Sequence, residues 1–299
     1  MAPPMAASMT AATVPGASAA GSWTGLAAGL AIEELETELL LEAVFQRFGH
    51  DFRAYDRPAL RRKLGMAMTA RGAATLSGLQ EQVLHHGDAA GAVLRALSVA
   101  PAALFDNAEH AARLRGVLAP SLRGWPVPRV WLAECAGVGE AWTLAILLAE
   151  EGILGRLDIH ATLANEEMVS EMLDAAIPVA QLDAAQERYA ASGGAASLAS
   201  YFDIRDGQAR LKPELRRRIT WSQYSLVTDA SFNEFQAIVC CNALADFGPV
   251  LRQRVLRLFH DSLARFGVLC LDRPLSVTDA HARTYQAIEG DRPWYKRVG

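Results

Sequence analysis

Val130-Trp-Leu-Ala-Glu-Cys-Ala-Gly-Val-Gly-Glu-Ala-Trp-Thr-Leu-Ala145 sets the architecture of this 299-residue chain. It opens as a short apolar run over 129–135 and passes through small residues. It then takes up the spacing of a helix predicted over 140–151, giving a strand, a turn and a helix. The same unit recurs on either side in the later sequence. A strand is predicted over 157–162, followed by a helix over 165–176. A buried strand over 235–241 leads to a helix over 249–266, and a last strand covers 268–271. Strands alternating with helices predict an α/β domain with a mainly parallel sheet. Ligands of such sheets sit outside the carboxyl ends of the strands, near a topological switch point.

Upstream the pattern is helical throughout. Over 32–48, Leu35, Leu39, Leu40, Ala43 and Val44 fall at the 3.6-residue period. A second helix over 57–71 places Leu60, Leu64 and Met68 on one face and Arg57, Arg61, Arg62 and Lys63 on the other. Two more helices are expected over 75–85 and 89–97. The chain is therefore read as a helical domain over 29–97 followed by the α/β domain over 98–299. Within the latter, 177–226 is less regular and reads as a small inserted subdomain. Asp206-Gly207 between Tyr201-Phe-Asp-Ile-Arg205 and Gln208-Ala-Arg-Leu211 predicts a hairpin. Residues 1–28 are mostly Ala, Pro, Gly, Ser, Thr and Met, and are expected to form a disordered tail. They lack the basic start of a secretory signal, and no apolar run reaches the roughly 18 residues of a membrane span.

A chain with 51% hydrophobic and 21% charged residues can bury a core without disulfides or metals. A net charge of −4 argues against nucleic acid as a partner. Cys135, Cys240, Cys241 and Cys270 form no CxxC pair and read as reduced thiols of a cytoplasmic protein. The histidines show no ligand spacing, so no metal site is expected.

Several segments resemble the CheR family of chemoreceptor glutamate methyltransferases. Gly49-His-Asp-Phe-Arg-Ala-Tyr55, followed by Arg61-Arg62-Lys63-Leu64, is similar to the family's helical opening. Residues 130–145 align without a gap to a family pattern such as VWSAGCSTGEEPYSLA. Ile159-His-Ala-Thr-Leu-Ala164 stands where the family has VFATDI. Ala199-Ser-Tyr-Phe202 with Lys212-Pro-Glu-Leu-Arg-Arg-Arg218 resembles SRYF…RPELRRRV, and 238–247 resembles IFCRNVLIYF. A similar tail runs from Ala287 to Val298. The resemblance spans about 35–298. It implies a class I S-adenosylmethionine methyltransferase domain, Rossmann-like, with a small inserted β-subdomain and an all-helical domain before it. The implied chemistry is methyl transfer from S-adenosylmethionine to a glutamate carboxylate of a receptor.

The positions that would hold the cofactor are largely substituted. The family's arginine after the linker aligns with Asp106, and the threonine four residues earlier with Ala102. Glu134 and Val138 stand where the glycine-rich loop has small residues. The acid that holds the ribose hydroxyls aligns with Leu163, and the asparagine before Leu226 with Ser225. Glu140 and Asn242 match the family. Both also have plain structural readings, Glu140 as a first-turn helix acid and Asn242 as a loop amide. Taken together, the resemblance and its departures predict a protein in which cofactor binding is weak or lost, with Glu140, Asn242, Leu226 and Ser225 as the remaining contacts. It would act as a regulatory or protein-binding module. An active methyltransferase with a rearranged pocket, or a pocket holding another small molecule, are the alternatives. In the family a comparable basic helix faces an acidic helical receptor. Arg57, Arg61, Arg62 and Lys63 therefore form either a docking face or a solvated helix face.

Overall fold

The computed structural model describes residues 31–299 apart from Phe232, Glu289, Asp291 and Arg292. The expected tail over 1–28 lies outside the described residues.

Four helices come first: α1 (Ile32–Phe48), α2 (Arg57–Arg71), α3 (Leu76–His85) and α4 (Gly87–Leu97). Local chemistry sets their ends. Gly49 and Gly72 close α1 and α2 in left-handed conformation, and the side chains of Asp56 and Thr75 accept from Ala59 N–H and Gly78 N–H. Next, α5 (Ala108–Arg113) runs through a π-helical turn at Leu114–Leu118 into α6 (Ala119–Arg123). The α/β part then contains β1 (Arg129–Leu132), α7 (Val138–Glu150), β2 (Asp158–Leu163), α8 (Glu166–Leu173), β3 (Ile177–Pro178), α9 (Val179–Ala191), β4 (Phe202–Arg205) and β5 (Gln208–Leu211). It continues with α10 (Pro213–Arg216), β6 (Ile219–Gln223), β7 (Phe235–Cys240), α11 (Pro249–Ser262), β8 (Leu263–Leu271), β9 (Tyr285–Ala287) and β10 (Trp294–Arg297).

Seven strands form the main sheet in the order β6-β2-β1-β7-β8-β10-β9, the first five parallel and β10 antiparallel to both neighbours. Strand periodicity divides the interior in two. Val130 and Leu132 join the core under α7, whereas Trp131 joins a second core with Leu40, Leu60 and Leu64 of the helical domain. The helical domain therefore covers one face of the sheet. Trp131 is fully buried and its indole N–H donates to Thr162 Oγ1 at 2.9 Å, so its polar end is satisfied.

The two parts are also joined by polar contacts. Lys63 of α2 pairs with Asp246 at 2.6 Å, Asp56 N–H donates to the Asp246 carbonyl, and Gly248 N–H donates to the Ala54 carbonyl.

The structure redraws two sequence expectations. The helix over 249–266 ends at Ser262, and β8 begins at Leu263. Arginine 265 and phenylalanine 266 extend the helical pattern in sequence, but Phe266 takes a left-handed φ of 69° within the strand. The inserted segment is narrower than 177–226: its antiparallel sheet β3-β5-β4 ends at Leu211, and β6 joins the main sheet. The Asp206-Gly207 hairpin forms as expected, with φ of 51° and 73° at the two turn residues. Arg218, just before β6, pairs with Asp158 at 3.4 Å.

Candidate functional site

The carboxyl ends of β1, β2, β6, β7 and β8 open onto two cavities. The loop after β1 stands between them. Its backbone is fixed by Ala133 N–H to the Val239 carbonyl and Cys135 N–H to the Thr162 carbonyl, both 2.9 Å. The linker from the helical domain crosses the start of α7, and Ala102 N–H donates to the Ala136 carbonyl at 2.8 Å. Only glycine permits that crossing: a Cβ on Gly139 would lie 2.0 Å from the Ala102 carbonyl oxygen.

The first cavity, about 390 Å³, lies beneath the linker and α5. It gathers four of the positions singled out from sequence: Ala102, Asp106, Glu140 and Asn242. Its walls also carry Glu109, Asp272 and Arg113. Arg113 pairs with Glu109 at 2.5 Å. Glu140 accepts from Ala136 N–H at 2.6 Å, which caps α7 as a first-turn acid does. Burial holds both Glu140 and Asp272 above the usual carboxylate range. Asp272 Oδ1 is buried with no hydrogen-bond partner among the described residues. His110, edge-on to Trp294, is pushed down to about 4 by burial and then by Arg113, so it is neutral at pH 7.

The second cavity, about 410 Å³, lies between the helical domain and the strand ends. Phe52 and Tyr55 form part of one wall; Ala164, Ser225 and Val227 form part of the other. Glu134 projects into it from the β1 loop. The Ser225 hydroxyl is engaged locally, accepting from Val227 N–H and Thr228 N–H at 3.3 Å each.

The expected site residues thus separate. Glu140 and Asn242 share the first cavity, and Ser225 lines the second. Leu226 is buried in the core beneath the helical domain. Leu163 is 2% exposed and Val138 packs against the core under α7; neither lines either cavity. The four basic residues of α2 separate too. Arg57 pairs with Glu38 and Glu34, Arg61 pairs with Glu34 at 2.8 Å, and Lys63 is 13% exposed at the domain junction. Arg62 is 64% exposed. The basic face read from sequence therefore reduces to Arg61 and Arg62, which pair with Glu34 and Asp246 yet stay more than half exposed, whereas Arg57 and Lys63 are drawn inward.

Sequence reading did not single out Asp272, His110 or Trp294. The placement rule for parallel sheets pointed to Asp272, which follows β8 at its carboxyl end. Glu134 was noted only as a bulky replacement, since neither its backbone twist nor its lack of partners has a sequence signal.

Two features do not fit S-adenosylmethionine held in the way the resemblance implies. An acid stands at 106 in place of a cation. Leu163, which offers no acceptor to a ribose, is buried. Among the described residues no cluster of three or more His, Cys, Asp and Glu side chains could hold a metal ion, and no helix is long and apolar enough to cross a membrane.

Residues 102–291 match the family described as "CheR methyltransferase, SAM binding domain", and 35–98 match "CheR methyltransferase, all-alpha domain". A Pseudomonas putida protein named "Putative methyltransferase Cher3" is 34% identical over 244 residues, covering 82% of this chain and 89% of the relative. Chemotaxis protein methyltransferase 1 of Pseudomonas aeruginosa is 27% identical over 150 residues, 48% of this chain and 53% of its own. Among solved structures, the N-methyltransferase NodS from Bradyrhizobium japonicum with S-adenosyl-L-homocysteine aligns at a TM-score of 0.36 and 11% identity, over 66% of this chain and 89% of that one.

Proposed function

The chain belongs to the CheR methyltransferase family, and from that premise we propose that it is a non-catalytic member acting as a regulatory, protein-binding module in bacterial chemosensory signalling. The observation that carries this reading is the charge of the first cavity. Among the described residues Asp106, Glu109, Glu140 and Asp272 line it, and the one arginine among them, Arg113, pairs with Glu109. Both the cofactor's carboxylate and a glutamate acceptor would have to enter this acidic space. A guanidinium there would supply a charge-assisted hydrogen bond of roughly 1.5–3 kcal/mol. Asp106 supplies repulsion instead. Methyl transfer relies on positioning and on the field of the site, and both are set against these reactants.

Binding of a protein partner falls to the exposed end of α2. Arg61 and Arg62 present charge to solvent beside acids of α1, a surface suited to an acidic helical receptor in the cytoplasm.

Calorimetric titration of the whole chain with S-adenosylmethionine and S-adenosylhomocysteine tests the proposal. No saturable heat is expected up to millimolar ligand, and micromolar affinity for either would end it. One observation favours the second reading, an active protein-glutamate methyltransferase with a rearranged pocket: Glu140 and Asn242 still converge on one cavity next to Ala102. Methyl incorporation from labelled cofactor into receptor protein would establish that reading.

A further inference from the structure

Glu134 is placed at a cost that the fold does not recover. Its φ of 52° lies in the left-handed region, where a side chain is strained by roughly 1–2 kcal/mol and where the family resemblance has glycine. It is only 8% exposed, yet its carboxylate makes no hydrogen bond among the described residues. The nearby cation is Lys63, whose ammonium already donates to Asp246 at 2.6 Å and to the carbonyls of Ser98 and Leu97 at 2.7 and 3.0 Å. An ammonium has three donors, so none is left for Glu134. A buried, unpartnered acid aimed into a cavity marks the place of a missing donor.

The rest of the cavity says what that donor is. Asp51 and Asp229 also line it, but Arg53 occupies the first, and Ser225 N–H and Thr228 Oγ–H occupy the second. Among the described residues no lysine or arginine lines it, and burial keeps His50 below its ordinary value and so neutral. Phe52, Tyr55 and Val227 supply apolar wall, and about 410 Å³ suits a small molecule. We propose that this cavity binds a small organic cation with an apolar body, an amine or amidine whose N–H groups are received by the Glu134 carboxylate. The site is separate from the first cavity and does not depend on whether methyl transfer has been lost.

Benzamidine and benzamide have nearly the same shape but differ in charge. Titrated into the intact chain at pH 8, benzamidine is expected to give saturable heat, with benzamide at least tenfold weaker. Burial pushes the Glu134 carboxyl up to about 7, against the pull of Lys63. The other titratable groups facing it are Tyr55, His50, Asp51, Asp229, Asp246 and Cys240. Benzamidine affinity should therefore fall about tenfold between pH 8 and pH 6, as Glu134 takes up its proton. Glu134→Gln and, independently, Glu134→Gly should each weaken benzamidine at least tenfold while leaving the protein folded. Equal affinity for the two probes, no heat from benzamidine, or unchanged affinity in both variants would overturn the inference. S-adenosylmethionine is itself an organic cation and Ser225 lines this cavity, so it is titrated in parallel into wild type and Glu134→Gln: binding that survives the substitution bears only on the preceding proposal, and the two can fail separately.

Discussion

The two cavities are nearly equal in volume and both acidic, yet their acids differ in what they do for the fold. In the first, Glu140 caps a helix and Glu109 holds Arg113, while Asp272 keeps one oxygen without a partner among the described residues. Its charge is partly an outcome of local structure. In the second, Asp51 and Asp229 are satisfied by their neighbours, and Glu134 has neither partner nor relaxed backbone. The lesson is that charge alone does not mark a ligand site. An acid that already has internal partners explains its own presence; one without them calls for something outside the chain.

The largest expected effect comes from loosening the junction between the helical domain and the sheet. Lys63→Met removes the ion pair that ties α2 to Asp246 and leaves that buried carboxylate with only Arg62, 3.7 Å away. Loss of one partner of a buried pair costs about 3–5 kcal/mol, and Arg62 should hold the loss near the lower end. Urea denaturation measures it; a loss under 1 kcal/mol would mean the pair does not hold the junction. Next is the linker's crossing of α7. Gly139→Ala puts a methyl group against the Ala102 and Ala103 backbone, where no side chain can yield, and about 3 kcal/mol should be lost. Wild-type stability would show that the linker lifts freely.

Glu134→Gln sharpens the contrast through pH. Burial raises the folded-state value of Glu134 to about 7, above its ordinary 4.5. The folded state thus holds the proton more tightly, and this residue's contribution to stability is lost as pH rises from about 4.5 through 7. The variant should match wild type at pH 4.5 and exceed it by roughly 2–3 kcal/mol at pH 8, by thermal or urea melts at each pH. His110 shifts in the opposite sense, which is why the difference between the two proteins is the quantity to follow. A difference that does not change with pH would remove the strained, unpaired carboxylate from the account. The smallest effect is at the surface: Arg62→Ala should change stability by no more than about 0.5 kcal/mol, while lowering the rate of association with an acidic partner.

Much of this fold is legible in the sequence because it is written locally. The 3.6-residue spacing of Leu60, Leu64 and Met68 gives α2, and Asp206-Gly207 gives the hairpin. The apolar run at Trp131 gives a strand buried on both faces. What was not legible depends on pairs distant in the chain. Lys63 meets Asp246 across the domain junction, so a residue grouped with a basic surface becomes an internal tie. Nothing near residue 263 announces that helix gives way to strand. Substitution at 106 and 163 could be read from the resemblance, but the linker's close path over Gly139 could not.

The order of the last three strands bears on how the protein is made. β10 sits between β8 and β9, so β9 leaves the ribosome with no neighbour to pair with. It must wait until Trp294–Arg297 emerges and slots in beside β8. Closure of that sheet edge therefore follows the arrival of β10, and an unpaired strand edge stays open to chaperones, or to another chain, until then.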